Sequence, residues 1–326
     1  MKKIIALVGM LTLIVDLLSV PAFAQIASTR ATTLVVPFAP GGGTDVLARA
    51  LAPKMAEMLG TSVIIDNRPG AGGVTAAMLT LRAAPDGKTL MVGSSGEFAI
   101  NPGLFPKLPY DVSRDFTAVT PIASTPMVLV VHPSSQIRTV KDLVNLAHAN
   151  PGKINFGSGG NGSGSHMATE LFLYSTKTKL THIPYKGSGP ALADLIGTQQ
   201  DMVVFTSLAS GSAMIRSGQV RAVAISSRHR ISGYPDVPTF IESGIPGYEM
   251  EYWYGMMGPA SMSTEIRARI HTVIVNILNQ ADIIANLSRQ GVQPMNKTPD
   301  EFSAFIIDDM ERWRALVKSA NIKLDL

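Results

Sequence analysis

The chain contains no cysteine. That absence excludes disulfides, thiolate metal sites and cysteine nucleophiles together. Charge is sparse as well: 16% of residues are Asp, Glu, Lys or Arg, and the formal net charge is only +4. These charges are scattered rather than gathered into a stripe, so no nucleic-acid surface is visible. The 6 histidines show neither H-E-x-x-H nor a paired-carboxylate spacing, and no metal site is expected. No serine stands in G-x-S-x-G: Ser95 has Glu97 where the last glycine should be, and Ser158 has Phe156 two positions before it. After Val20 no apolar run is long enough to cross a bilayer.

What is present starts with an export signal. Lys2 and Lys3 precede an apolar stretch, Ile4 to Val20, and Pro21-Ala22-Phe23-Ala24 closes it with small residues at the cleavage spacing. The pattern predicts a secretory signal peptide cut after Ala24. A retained membrane helix is the alternative, since the run nears the ~17-residue lower limit for spanning. Asp16 within it would cost a stable span more than a transient signal. The remaining residues, 25–326, suffice for one large or two medium domains. With 46% apolar residues in the whole chain, a core without disulfides is feasible, and the 16 methionines read as gap-filling core.

Short apolar runs alternate with longer amphipathic ones, which predicts α/β architecture. Strands are expected at Thr32–Val36, Ser62–Ile65, Lys88–Val92, Lys153–Phe156, Leu180–Pro184 and Asp201–Phe205. Helices are expected at Thr44–Leu59, Val74–Ala83, Thr139–Ala149, His166–Tyr174 and Ala191–Ile196, with a helical tail over Ser263–Asn279 and Pro299–Ala320. A long apolar strand around Thr117–Val131 is interrupted by Ser124-Thr125-Pro126, a candidate crossing between lobes. Glu249–Gly258 is a candidate return. The expectation is two lobes, 25–123 plus 251–326 and 124–250, with a ligand cleft between them.

Val35-Val36-Pro37-Phe38-Ala39-Pro40-Gly41-Gly42-Gly43-Thr44-Asp45 is the most informative segment, because it reads as strand, glycine loop and helix start. Successive glycines expose main-chain N–H groups, and the helix N-terminus behind them adds unpaired donors and partial positive charge. Together these make an anion site. Gly157-Ser158-Gly159-Gly160-Asn161-Gly162-Ser163-Gly164-Ser165 repeats the arrangement. It formally matches G-x-G-x-x-G, but no carboxylate follows at the spacing a dinucleotide fold needs. Gly87-Lys88-Thr89 resembles the end of a P-loop, yet Arg82 occupies the required glycine position. Two anion-binding loops with no catalytic set between them point to capture rather than chemistry, with no cofactor.

Asp45 can pair with Arg49 one helical turn away, or face the cleft and receive a ligand ammonium. Phe38 can cap a ligand or belong to the core, and Tyr185, Phe205 and Trp253 pose the same question. His166 reads as a loop-facing polar residue rather than a catalytic one. Lys186 is the one cation in these glycine loops, so a carboxylate would be held by main-chain N–H groups, by hydroxyls of Thr44, Ser94, Ser95, Ser163, Ser165 and Ser188, and by water. Gly42 is where an added valine is expected to block close backbone approach.

The chain resembles the Bug family, the solute receptors of tripartite tricarboxylate transporters. The segments that carry the resemblance are Val36–Asp45, Asp66-Asn67-Arg68-Pro69-Gly70-Ala71-Gly72-Gly73, Pro85-Asp86-Gly87, Pro184-Tyr185-Lys186-Gly187-Ser188, Tyr234-Pro235-Asp236-Val237-Pro238-Thr239 and Gly244-Ile245-Pro246-Gly247-Tyr248. The resemblance implies a two-lobed periplasmic binding protein, type II-like, that closes on a small carboxylate. It also implies delivery to a membrane permease of one large and one small subunit. The family's binding roles fall on Phe38, Ala39, Gly41, Gly42, Gly43, Thr44 and Asp45 in the first loop, and on Ser94 and Ser95 in the second. In the other lobe they fall on Ser158, Gly159, Gly162, Ser163, Ser165 and His166, and on Tyr185, Lys186, Gly187 and Ser188. Gly197-Thr198-Gln199 departs from the usual Gly-Gly-Gln, and Ser261-Met262-Ser263 from Gly-Thr-Pro. A monomer is expected. Dicarboxylate, monocarboxylate, aromatic acid and amino acid all remain open as ligands. An exported hydrolase or a sensory receptor feeding a membrane kinase are the alternatives.

Overall fold

The computed structural model describes residues 30–198, 202–320 and 322. The expected signal peptide, and Gln199 of the departing Gly197-Thr198-Gln199 segment, lie outside the described residues. The apolar runs form a 10-stranded mixed sheet. Its strands are β1 (Thr32–Val36), β2 (Val63–Asn67), β3 (Thr89–Ser94), β4 (Phe116–Val131), β5 (Asn155–Ser158), β6 (Thr181–Pro184), β7 (Met202–Ser207), β8 (Arg221–Ile225), β9 (Glu251–Pro259) and β10 (Gln293–Pro294). The longer amphipathic segments form α1 (Gly43–Leu59), α2 (Val74–Leu81), α3 (Val140–Ala149), α4 (Gly164–Thr176), α5 (Ser188–Thr198), α6 (Leu208–Arg216), α7 (Thr264–Leu278), α8 (Ala281–Arg289) and α9 (Pro299–Ser319).

The strand order is β2-β1-β3-β9-β4-β7-β5-β6, with β8 and β10 also paired to β4. Two parallel groups, β2-β1-β3 and β6-β5-β7, flank an antiparallel centre of β9 and β4. Parallel strands of this kind need helical crossovers, which supply the expected α/β alternation. The expected interruption at Ser124-Thr125-Pro126 does not break the strand: β4 runs through it for 16 residues. Its partner changes there instead. Phe116 to Pro126 pair with β9, whereas Met127 to Val131 pair with β7 and β8. The hydroxyl and imino residues therefore mark a handover between two halves of the sheet.

Helix starts follow from local chemistry. Thr139 and Asp142 form a reciprocal capping box on α3, and Thr298 and Glu301 form another on α9, where Pro299 takes the first turn without loss of a needed donor. Pro53 removes one donor within α1, on an exposed face where water can serve the freed carbonyl. The C-terminal helices return to the first half: α7 packs on α1, and α9 lies against β4. Trp253 anchors α9 by donating Nε1–H to the buried Asp309 carboxylate at 2.7 Å. Phe302 stands edge-on to the same indole, ring centroids 5.3 Å apart. Gly255 makes that docking possible, because a Cβ there would overlap the Phe302 ring.

Candidate ligand-binding site

Four helices begin at one hollow. The residues lining it include Gly42, Gly43 and Thr44 at the start of α1, Ser163, Gly164 and Ser165 at the start of α4, Ser188 opening α5, and Ser207 capping α6. Each start follows a strand of a parallel group, so the strand ends of both halves deliver their helix N-termini to the same space. Phe38, Met127, Gly159, Tyr252 and Tyr254 complete the wall, and the hollow has a free volume of about 30 Å³. Among the described residues no charged side chain lines it. Its positive potential comes from peptide dipoles and N–H groups alone. Thr44 Oγ1 is buried there without a partner, a hydroxyl left over for whatever enters.

The glycine that the packing requires is Gly43 rather than Gly42. A Cβ on Gly42 would meet nothing nearer than Ala39 O, 3.8 Å away. On Gly43 it would overlap the Tyr254 hydroxyl and lie 2.8 Å from Ser207 Oγ. Gly164 is its counterpart in the other half, where a Cβ would overlap the Tyr252 ring. These tyrosines, with Met127 and Ser207, are site residues that sequence reasoning missed. Residues 252 and 254 share one face of β9 while 253 takes the other, so Trp253 is core and its neighbours reach the hollow. The Tyr252 hydroxyl is held by Ser94 Oγ at 2.6 Å. Ser207 hydrogen-bonds the Tyr254 hydroxyl.

Several candidate residues sit just behind this wall. The Asp45 carboxylate accepts from Gly41 N at 3.0 Å, Arg49 Nε at 2.9 Å and Asn67 Nδ2 at 3.0 Å. Asn67 also donates to Phe38 O at 2.9 Å, so Asp45 shapes the first loop from behind. Ser94 is fully buried, one hydrogen bond behind Tyr252, and Ser95 Oγ is buried without a partner. Ser158 bridges Gly160 N and His182 Nε2, at 3.0 and 2.5 Å. Burial, and then the neighbouring His166, push His182 down to about 4, so the ring is neutral and shares a single proton-mediated bond with the serine. His166 stacks on His182 with centroids 4.3 Å apart and accepts from Gly162 N at 3.3 Å, bracing the third loop, residues 157–165.

Tyr185 and Lys186 line a separate outer hollow of about 290 Å³, which shares Phe38 and Gly159 with the inner one. Tyr185 is pinned to Asp194, and burial together with that carboxylate pushes its hydroxyl up to about 12. Ala39 N donates to Lys186 O at 2.8 Å, and Ser210 Oγ donates to Gly41 O at 2.9 Å, so the loops of the two halves touch directly. Gly187 fits against Ala39 there: its Cβ would lie 3.1 Å from Ala39 N. No group of three or more potential metal ligands occurs among the described residues, and none of their helices is long and apolar enough to cross a membrane.

Asp45 carries a testable pH dependence. Burial alone would raise its pKa, but the bonds from Arg49, Gly41 and Asn67 outweigh that and hold it below the usual carboxylate range. The folded value is thus below the unfolded one. The ionised carboxylate stabilises the fold above the unfolded pKa, and this contribution is lost as pH falls through the folded value. Asp45→Asn is expected to lower the urea midpoint at pH 7, with the gap to wild type closing toward pH 3. A gap that persists unchanged at pH 3 would contradict this role.

Two α/β lobes enclosing a hollow of this kind define a two-lobed periplasmic binding protein. The profile described as tripartite tricarboxylate transporter family receptor matches residues 47–322, and the chain belongs to that family. Protein BugT of Bordetella pertussis (strain Tohama I) is 35% identical over 328 residues, covering 99% of each chain. The structure of R. palustris Rpa4515 with adipate is 33% identical with a TM-score of 0.87, over 91% of this chain and 99% of that one. MatC (Rpa3494) from Rhodopseudomonas palustris with bound malate is 32% identical with a TM-score of 0.85, over 88% and 99% of the two chains. Members of the family are periplasmic receptors, and the chain is accordingly a solute-binding receptor rather than an enzyme.

Proposed function

We propose that this receptor captures a small organic carboxylate in the inner hollow and delivers it to a membrane permease of one large and one small subunit. The observation that carries the reading is the convergence of four helix N-termini on a space without charged side chains. Such a site favours an anion small enough to be desolvated on all sides. The adipate and malate held by the two related structures fit that chemistry. Carboxylate oxygens would take N–H groups of the first and third loops, with Thr44, Ser163, Ser165, Ser188, Ser207 and the two tyrosines as hydroxyl partners. Asp45, Ser94, Ser158 and His166 act from behind, and Tyr185 and Lys186 guard the mouth. The working form is a periplasmic monomer freed of residues 1–24, with lobes 25–123 plus 251–326 and 124–250. The change of partners along β4 supports those boundaries.

Charge-assisted bonds to neutral donors contribute roughly 1.5–3 kcal/mol each. Three or four of them, less the cost of closure, support micromolar binding at about −8 kcal/mol. Calorimetry of protein stripped of prebound ligand should therefore give heat with at least one member of a panel containing adipate, malate, acetate, benzoate and glutamate. Silence from the whole panel would overturn the reading.

A further inference from the structure

Behind the Tyr252 wall of the hollow lies a carboxyl group that the site as described does not use. Glu97 is fully buried in the tight turn Gly96–Ile100 that follows β3. Its Oε2 accepts from Ser94 N at 2.7 Å and meets Ser94 Oγ at 2.8 Å, while Oε1 has no partner. Ser94 Oγ in turn meets the Tyr252 hydroxyl at 2.6 Å. The result is a continuous chain from a buried acid, through one serine, to a hydroxyl on the wall of the hollow. The other titratable groups facing Glu97 are Tyr110, whose hydroxyl donates to the Glu97 carbonyl at 2.9 Å, and Tyr254. Burial lifts all three tyrosines above their usual range, so they stay protonated. No basic side chain acts on the Glu97 carboxyl among the described residues.

We propose that Glu97 is a positioning residue whose proton sets the direction of the Ser94–Tyr252 chain, and thereby decides whether Tyr252 offers the hollow a donor or an acceptor. Hydrogen counting dictates the two states. When Glu97 is ionised, Ser94 Oγ must donate to it and can only accept from Tyr252. The Tyr252 proton is then spent, and its oxygen turns a lone pair toward the ligand. When Glu97 takes one proton from solvent, Oε2–H donates to Ser94 Oγ, and Ser94 donates to Tyr252. The tyrosine proton is released to point into the hollow, where it can meet a carboxylate oxygen. Ionised Glu97 also repels a bound anion across the same short distance, so both effects have one sign. Burial raises the Glu97 carboxyl to about 7, with the Ser94 bonds opposing, which places the switch near neutral pH. A bound anion favours the protonated form and raises that value further. Anion affinity therefore tightens as pH falls through the bound-state value and levels off below the free one.

This rests on the reading of the hollow as a carboxylate site, and the experiment separates the two. Adipate and malate, both dianions throughout, are titrated calorimetrically between pH 9 and pH 6. Wild type should tighten about tenfold for each unit by which the anion raises the Glu97 pKa. Glu97→Gln should flatten the profile, and Ser94→Ala, which keeps the acid but cuts the chain, should flatten most of it. A slope that survives Glu97→Gln, or that Ser94→Ala leaves intact, overturns the proposal. In parallel, infrared titration of the ligand-free protein should show the Glu97 carboxyl band and a Tyr252 ring band, assigned by Tyr252→Phe, changing at one pH. If neither dianion binds at any pH, the carboxylate reading fails and this coincidence alone decides the switch. A Tyr252 band that ignores the Glu97 titration sinks it.

Discussion

Gly43→Ala is expected to weaken carboxylate binding about 100-fold, roughly 2.7 kcal/mol, while the chain stays folded. The added methyl would overlap the Tyr254 hydroxyl and press on Ser207 Oγ at 2.8 Å. Tyr254 cannot swing clear, because its ring is 1% exposed and sits edge-on to Tyr252 with centroids 5.4 Å apart. Overpacking of this kind typically costs about 1–3 kcal/mol, here concentrated where α1 meets the hollow. The strain falls on the approach of the two lobes, since Gly43 and Ser207 begin helices on opposite sides. Removing the obstructing oxygen provides the check. Gly43→Ala combined with Tyr254→Phe should recover part of the lost affinity in the same calorimetric assay. Wild-type affinity in Gly43→Ala alone would show that this contact does not govern the site.

Phe302→Ala is expected to cost about 3–5 kcal/mol of folding stability, the range for deleting a fully buried aromatic side chain. The ring fills the space left by Gly255 on one side and packs edge-on against Trp253 on the other. Its loss opens a cavity that β9 cannot collapse into, because Trp253 is tied to Asp309. Urea denaturation should show a lower midpoint with an unchanged slope. A loss below about 1 kcal/mol would mean that α9 is held mainly by other contacts.

How much of this was legible depended on whether the signal was local. Strand and helix order follows hydrophobic period and capping chemistry, which lie within a few residues. The α3 start needs only Thr139 and Asp142, and the α9 start only Thr298 to Glu301. Helix α8 is absent from the expected set because no capping residue announces its start: Gln280 makes no side-chain cap bond. The loops meeting at the hollow were readable because each carries glycines or hydroxyls at a helix start. Ranking Gly43 above Gly42 was not, since the ranking is made by Tyr254, far along the chain. Trp253 drew notice by its size, yet strand alternation turns it to the core and gives the hollow to the smaller aromatics beside it. Glu97 enters the sequence reading only as the residue that breaks G-x-S-x-G, because nothing nearby in sequence announces that the turn is buried. The proline in β4 suggested a break where the chain in fact changes partners.

The bond from Ala39 N to Lys186 O fastens the rims of the cleft to each other through main-chain atoms, and the Ser210 hydroxyl adds a second tie to Gly41 O. No substitution at Lys186, and only proline at Ala39, deletes the peptide groups of the first bond, so this latch persists through most sequence drift at those positions. A solute must wait for it to open, and the frequency of that opening, rather than diffusional encounter, would then set the pace of loading and release.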